Sequence, residues 1–180
     1  MLSQVSKKGT DSRPYLRNAN VLWGEFNLDD VFEMDFSAAE RIEFALWPDD
    51  LLICEGGEIG RCAVWEGQIE ECYFQKALHR ARLKDRSSLP RYLMHFLAWA
   101  ATNGAIANLR TGSAIPHLTG IKLKMLDVIW PEPSVQQEVV NILDGIQAEL
   151  RNLNAIRDET ITVVQQLEQS ILAQAFRGEL

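Results

Sequence analysis

Two prolines, Pro131 and Pro133, stand just ahead of a long stretch with no proline, and this boundary constrains the chain more than any other feature. Proline holds the residue before it in extended conformations, so no helix runs unbroken through residues 130–134. Ser134 followed by Gln137 fits a capping box, in which the serine hydroxyl takes an amide of the first turn and the glutamine reaches back. Glu138 adds negative charge where the helix dipole favours it. From Val135 to Phe176 the only glycine is Gly145, and the run closes on Arg177-Gly178, a cation followed by a C′ glycine. At about 1.5 Å per residue, a continuous helix here would span about 63 Å.

The apolar pattern of that segment says what the helix needs. Val139, Leu143, Ile146, Leu150 and Leu153 recur in alternating steps of four and three, the seam of a coiled coil. Arg157 and Thr160 take the next two seam positions, with Ile156 and Ile161 beside them, and the seam resumes at Val164, Leu167 and Ile171. This reads either as one helix with a shifted stripe or as two shorter helices with a kink near Arg157–Thr160. A lone helix cannot bury such a stripe, so a partner helix is expected in this chain or another.

The first 130 residues are of another kind. Asp50–Cys54 and Arg61–Trp65 are short apolar strand candidates flanking the turn Glu55-Gly-Gly-Glu-Ile-Gly60. Glu71–Arg82 and Ile121–Trp130 read as further strands. Leu89–Ala101, opening at Pro90 and apolar on all sides, reads as a buried helix. The expected class is therefore α+β, a mixed α/β domain followed by a long helical region. Hydrophobic residues make up 47% and charged residues 24%, which excludes a disordered chain. No apolar run is long enough for a membrane span, and the N-terminus has no signal-peptide core, so a cytoplasmic protein with no membrane partner is expected. Cys54, Cys62 and Cys72, odd in number and without metal-ligand spacing, are expected to be reduced thiols.

Charge excludes a simple nucleic-acid coat, because the chain carries −7 overall. It is unevenly spread: residues 1–50 and 131–180 each carry −5, whereas residues 51–130 hold 10 basic groups against 7 acidic ones. The middle of the chain has room for a local anion-binding face.

The sequence offers no reaction centre. GxxxxGK[ST], GxSxG and HExxH are all absent, and His79, His95 and His117 are isolated, which favours packed or surface histidines over catalytic ones. Pro48-Asp49 is not followed by the Glu-x-Lys of a nuclease carboxylate cluster. The glycine turn at 56–60 has the wrong spacing for a dinucleotide fingerprint and leads into a strand, so a tight β-turn is the better reading. No catalytic residue, metal ligand or cofactor is expected.

Three clusters carry binding chemistry. Arg13, Arg17, Asn18 and Asn20 bring fork-shaped donors and acceptors that suit guanine and adenine edges. Gln75, Lys76, His79, Arg80, Arg82 and Lys84 would put a basic row beside a groove. Arg110-Thr-Gly-Ser-Ala-Ile-Pro-His117 offers hydroxyls and amides that would hold a phosphate. On residue chemistry alone, a solvated face or a turn is the better reading of each cluster.

The order of features resembles the specificity subunit of type I restriction–modification systems (HsdS) over nearly the whole chain. The resemblance rests on Gly9-Thr10 with Pro14–Val21, Asp50–Cys62, Ile115–Leu118, Ile129-Trp-Pro-Glu-Pro-Ser-Val-Gln-Gln-Glu-Val-Val140 and Ser170-Ile-Leu-Ala-Gln-Ala-Phe-Arg-Gly-Glu-Leu180. It implies a target recognition domain over residues 1–133 that reads one half of a bipartite double-stranded DNA target. Residues 134–180 would then be a conserved helix that packs antiparallel on an equivalent helix and docks the modification subunits, with the restriction subunit joining through the complex. Full-length members hold two such halves and this chain has one, so the resemblance implies a half subunit, either a fragment or a short form that pairs with itself. The implied DNA contacts are Lys7, Lys8, Thr10, Arg13, Arg17, Asn18, Asn20, Gln75, Lys76, His79, Arg110, Thr111, Ser113 and His117. The implied helix interface is Val139, Leu143, Ile146, Leu150, Leu153, Val164, Leu167 and Ile171. The family's usual tryptophan-containing opening strand is missing before Gly9. Two other classes compete: a coiled-coil interaction module without a DNA role, and a detached recognition domain of a fused methyltransferase.

Overall fold

The structure is a computed structural model and describes residues 9, 11–85, 87–109 and 117–179. The chain forms two compact units, Met1–Gln137 and Glu138–Leu180.

The first unit is built on two small sheets. In one, β1 (Ser12–Leu16) lies at the centre, antiparallel to β2 (Phe32–Asp35) and parallel to β5 (Tyr73–Phe74). In the other, β3 (Leu51–Cys54) is central and antiparallel to both β4 (Cys62–Val64) and β6 (Leu78–Ala81). The unbroken apolar run of β3 is buried at every position, as a strand covered on both faces requires. Between β2 and β3, α1 (Ala38–Phe44) starts at a reciprocal cap, Ser37 Oγ accepting from the Glu40 amide while Glu40 accepts from the Ser37 amide.

Apolar side chains divide into two cores within this unit. Tyr15, Leu16, Phe36, Phe44, Leu52, Trp65 and Phe74 fill one, with Phe36 stacked on Tyr73. Leu51, Ile53 and Val64 meet Met94, Leu97 and Ala100 of α2 (Pro90–Thr102) in the other, joined by Ile106 and Leu118. The β3–β4 turn brings Gly60 to φ 84° with the Ile106 methyl 2.6 Å from where a Cβ would stand, so only glycine fits there.

The expected strands at Asp50–Cys54 and Arg61–Trp65 and the expected helix after Pro90 are present. Glu71–Arg82 is not one strand: β5 and β6 belong to different sheets, with a turn closed by the Leu78 amide on the Gln75 carbonyl. Residues 121–130 are not a strand either. Thr119 caps a short helix, α3 (Gly120–Leu123), and an irregular segment follows. That segment is held by side chains rather than by a ladder, the Tyr92 hydroxyl donating to the Ile129 carbonyl and the Trp130 indole to Ser88 Oγ.

One helix, α4 (Pro133–Arg177), replaces the alternative of two helices with a kink. The Thr160 and Thr162 hydroxyls donate back to the carbonyls of Ile156 and Asp158, bonds that leave the helix intact where the seam turns polar. Its start differs from the expected capping box. Pro133 takes the first helical position and the Glu132 carbonyl accepts from the Val135 and Gln136 amides, so Ser134 is already helical and cannot cap. The buried glutamine is Gln136, not Gln137: its Oε1 accepts from the Leu89 amide at 3.0 Å and its Nε2 donates to the Pro131 carbonyl at 2.8 Å. At the far end Gly178, at φ 73°, closes a Schellman motif, its own amide on Ala175 and the Glu179 amide on Gln174.

Within the second unit the apolar seam is uncovered. Ile146, Leu150, Leu153, Val164, Leu167 and Ile171 are 45–60% exposed, and Ile156, Ile161 and Val163 beside them are equally open. Val139 and Leu143 are half-buried.

Candidate nucleic-acid interface

The strand β1 and the 3-10 turn that follows it (Asn18–Asn20) present the first cluster. Arg13 is held between two acids, its Nη1 2.6 Å from Asp11 and its Nε 2.8 Å from Glu71. Asp11 is also gripped by Arg41, and that hydrogen bond holds its carboxyl below the ordinary carboxylate range. The Arg17 guanidinium lies 3.3 Å over the Phe32 ring and pairs with Asp30 at 2.9 Å. Asn20 is 2% exposed; its Oδ1 accepts from the Arg17 amide and its Nδ2 donates to the Asn27 and Asp30 carbonyls. Its amide is therefore consumed in shaping the 17–30 loop, a structural use in place of the expected base contact. Asn18 is more open and donates to the Gly56 carbonyl at 3.3 Å, while its own carbonyl accepts from Arg61 at 2.9 Å.

The second cluster borders a cleft of about 760 Å³. Its floor is apolar (Leu93, Leu97, Leu123, Leu126 and Val128) and its rim carries Lys76, His79, Arg80, Arg82 and Lys124, with Glu43 among them. The expected basic row is only partly free. Arg82 grips the fully buried Asp50 through two bonds of 2.6 and 2.7 Å, and Arg80 donates to the Ala45 carbonyl while lying over the Phe74 ring. Burial lowers the Arg80 pKa from its ordinary value, in keeping with an internal role. The His79 Nε2 sits 2.6 Å from the Leu118 carbonyl. Gln75 lies half-buried at the turn ahead of β6. Lys76 and Lys124 are exposed and, among the described residues, have no acidic partner. A flexible ammonium on a cleft rim suits a phosphate as a point charge.

His117 completes a line between the first two clusters. It is exposed, its Nδ1 is 4.0 Å from Glu55, and a Cβ on Gly56 would come within 3.2 Å of the ring. The neighbouring Leu118 amide donates to the Glu55 carbonyl. Asn18, Gly56, His117, Leu118 and His79 thus follow one another through direct contacts, although they come from four distant parts of the chain. Lys7, Lys8, Thr10, Arg110, Thr111 and Ser113 lie outside the described residues. Lys124 and Arg61 are missing from the clusters read in the sequence, because each stands apart from them along the chain and only the fold brings it beside them. Among the described residues no group of His, Cys, Asp and Glu would hold a metal ion, and no helix is long and apolar enough to cross a membrane.

The chain thus combines an α+β unit that bears a cationic cleft with a long helix that carries an open apolar seam. Residues 39–162 match the family described as the type I restriction modification DNA specificity domain, more than half of the chain, and the protein belongs to that family. The chain is similar to the type I restriction enzyme EcoKI specificity subunit of Escherichia coli (strain K12), with 28% identity over 185 residues that cover 99% of this chain and 40% of that protein. It is also similar to a chain from a solved structure on complex assembly and conformational transition of the type I R-M system. There the TM-score is 0.60 at 26% identity, over 76% of this chain and 33% of that one. The chain spans less than half the length of both relatives.

Proposed function

We propose that this chain is a DNA sequence-specificity subunit of a type I restriction–modification complex. Its first unit reads one half of a bipartite double-stranded target. The helix docks the modification subunits, through which the restriction subunit joins. The chain performs no chemistry of its own and works in the cytoplasm. A second copy pairs through the apolar seam, so that two recognition units related by a two-fold axis read an interrupted palindrome.

The observation that carries this reading is the family match, which runs from α1 through the cleft-bearing sheet and well into α4. The exposed Lys76 and Lys124 support a phosphate-contacting face at the cleft, and the open seam supports a helix partner. The net charge of −7 is compatible with it, because the acidic helix faces protein in such an assembly.

Fluorescence anisotropy of a labelled duplex with this chain and its modification subunit tests the proposal. Lys76→Glu with Lys124→Glu is expected to weaken binding at least tenfold and to flatten its salt dependence, because each lost phosphate contact removes released counterions. An affinity and salt slope equal to wild type would remove the cleft from the interface. Leu167→Asp is expected to leave the chain monomeric in sedimentation, since an unpaired carboxylate on the seam is costly to bury.

A further inference from the structure

We infer the register of the antiparallel pair that the resemblance implies: the two-fold axis crosses the helix between Asp158 and Glu159. The inference rests on the reading of α4 as a surface for a second copy and adds which residues meet.

In an antiparallel helix pair, each layer sets one seam position of a helix against the alternate seam position of the other, and neighbouring registers differ by a heptad. With the axis between Asp158 and Glu159, Arg157 meets the partner's Thr160, and the partner's Arg157 meets Thr160. Outward from these two polar layers, Leu153 meets the partner's Val164, Leu150 the partner's Leu167, and Ile146 the partner's Ile171. Every other layer from 146 to 171 is aliphatic on both sides, and all these aliphatic side chains are uncovered in the single helix. A shift of one heptad either way sets Arg157 against the partner's Leu153 or the partner's Leu167. Thr160 then meets the partner's Leu150 or the partner's Val164, so four central layers pair a polar residue with an aliphatic one. In the inferred register such a mixed layer falls only near the ends, where Leu143 meets the partner's Gln174.

The flanks agree with the same axis. Ile156 and Val163 precede seam positions on one edge and are 52% and 56% exposed. In an antiparallel pair such positions face their equivalents, which brings Ile156 beside the partner's Val163. The apolar surface therefore widens just where the seam turns polar, and one register covers both. A parallel pair in register would instead stack Arg157 on the partner's Arg157, two like charges in one layer. In the single helix Arg157 turns outward to Asp158.

Cysteine crosslinking of the full chain tests the register. Cys54, Cys62 and Cys72 are buried, so introduced thiols dominate. Positions 150 and 167 are about 25 Å apart along one helix, too far for a bond within a chain. The expected result is a disulfide-linked dimer from Leu150→Cys with Leu167→Cys, the same from Leu153→Cys with Val164→Cys, and none from Leu150→Cys alone. A linked dimer from Leu150→Cys alone would show a parallel pair, and one from Leu150→Cys with Thr160→Cys in their place would show the shifted register; either overturns the inference. Sedimentation of the unsubstituted chain separates the two claims. A dimer that links at neither predicted pair overturns the register and leaves the pairing standing, whereas a monomer overturns both.

Discussion

Replacing Gln136 by leucine keeps the side chain's size and removes its two hydrogen bonds. Gln136 has no exposed surface, and it satisfies the Leu89 amide at 3.0 Å and the Pro131 carbonyl at 2.8 Å. Leu89 is the N-cap residue of α2 and has no side-chain cap of its own, so the glutamine supplies a partner that nothing local provides. Leaving a buried amide or carbonyl unpaired costs about 1–3 kcal/mol. Leu89 and Pro131 are each half-buried, so water would relieve part of this, and the expected loss is about 2–3 kcal/mol in total. Gln136→Glu should cost more, because it sets a carboxylate against the Pro131 carbonyl at a fully buried side-chain position. Urea unfolding followed by tryptophan fluorescence suits the test. All five tryptophans lie in residues 1–137, so the signal reports that unit alone. A Gln136→Leu variant within about 0.5 kcal/mol of wild type, on the scale of an ordinary surface substitution, would refute the role given to this side chain.

Arg82→Ala should destabilise the first unit by about 2–4 kcal/mol, since it strands the fully buried Asp50 carboxylate with, among the described residues, only the Trp47 amide as donor; unchanged urea unfolding would count against it. Gly145→Ala should stabilise the helix by about 0.5–1 kcal/mol, because a Cβ there meets nothing within 4 Å, and helicity at 222 nm on heating would report it. Burial raises the thiol pKa at all three cysteines and pushes Cys72 up to about 12 from 9.0. At pH 8 that lowers the Cys72 thiolate fraction about a thousandfold, so alkylation of the native chain should be slow and that of the urea-unfolded chain fast; fast native labelling would contradict the burial.

The elements legible in the sequence are those set by local patterns. The start of α2 follows from Pro90 and an all-round apolar run, and the two ends of α4 from its prolines and Arg177-Gly178, whereas its continuity past Arg157 does not follow from the seam. Residues 121–130 misled because Ile121, Leu123 and Met125 alternate as in a strand. Their side chains serve no sheet: Ile121 and Met125 are 77% and 60% exposed, and tertiary bonds to Tyr92 and Ser88 hold the segment. The candidate interface was legible as a set of residue types and not as an arrangement. Whether an arginine is free depends on acids far away in sequence, Asp50 for Arg82 and Glu71 for Arg13. The same holds for Asn20, whose amide is consumed by a loop closing 7 and 10 residues later. Adjacent glutamines could not be told apart either, since only tertiary packing selects Gln136 over Gln137.

A map of methylated bases tests the central claim most directly, comparing DNA from cells that carry this chain with its modification subunit against cells that lack only this chain. The account predicts a methylated interrupted palindrome that disappears with the chain. An asymmetric split motif would contradict the pairing of two copies, and no chain-dependent methylation, with the modification subunit active, would contradict the specificity role itself.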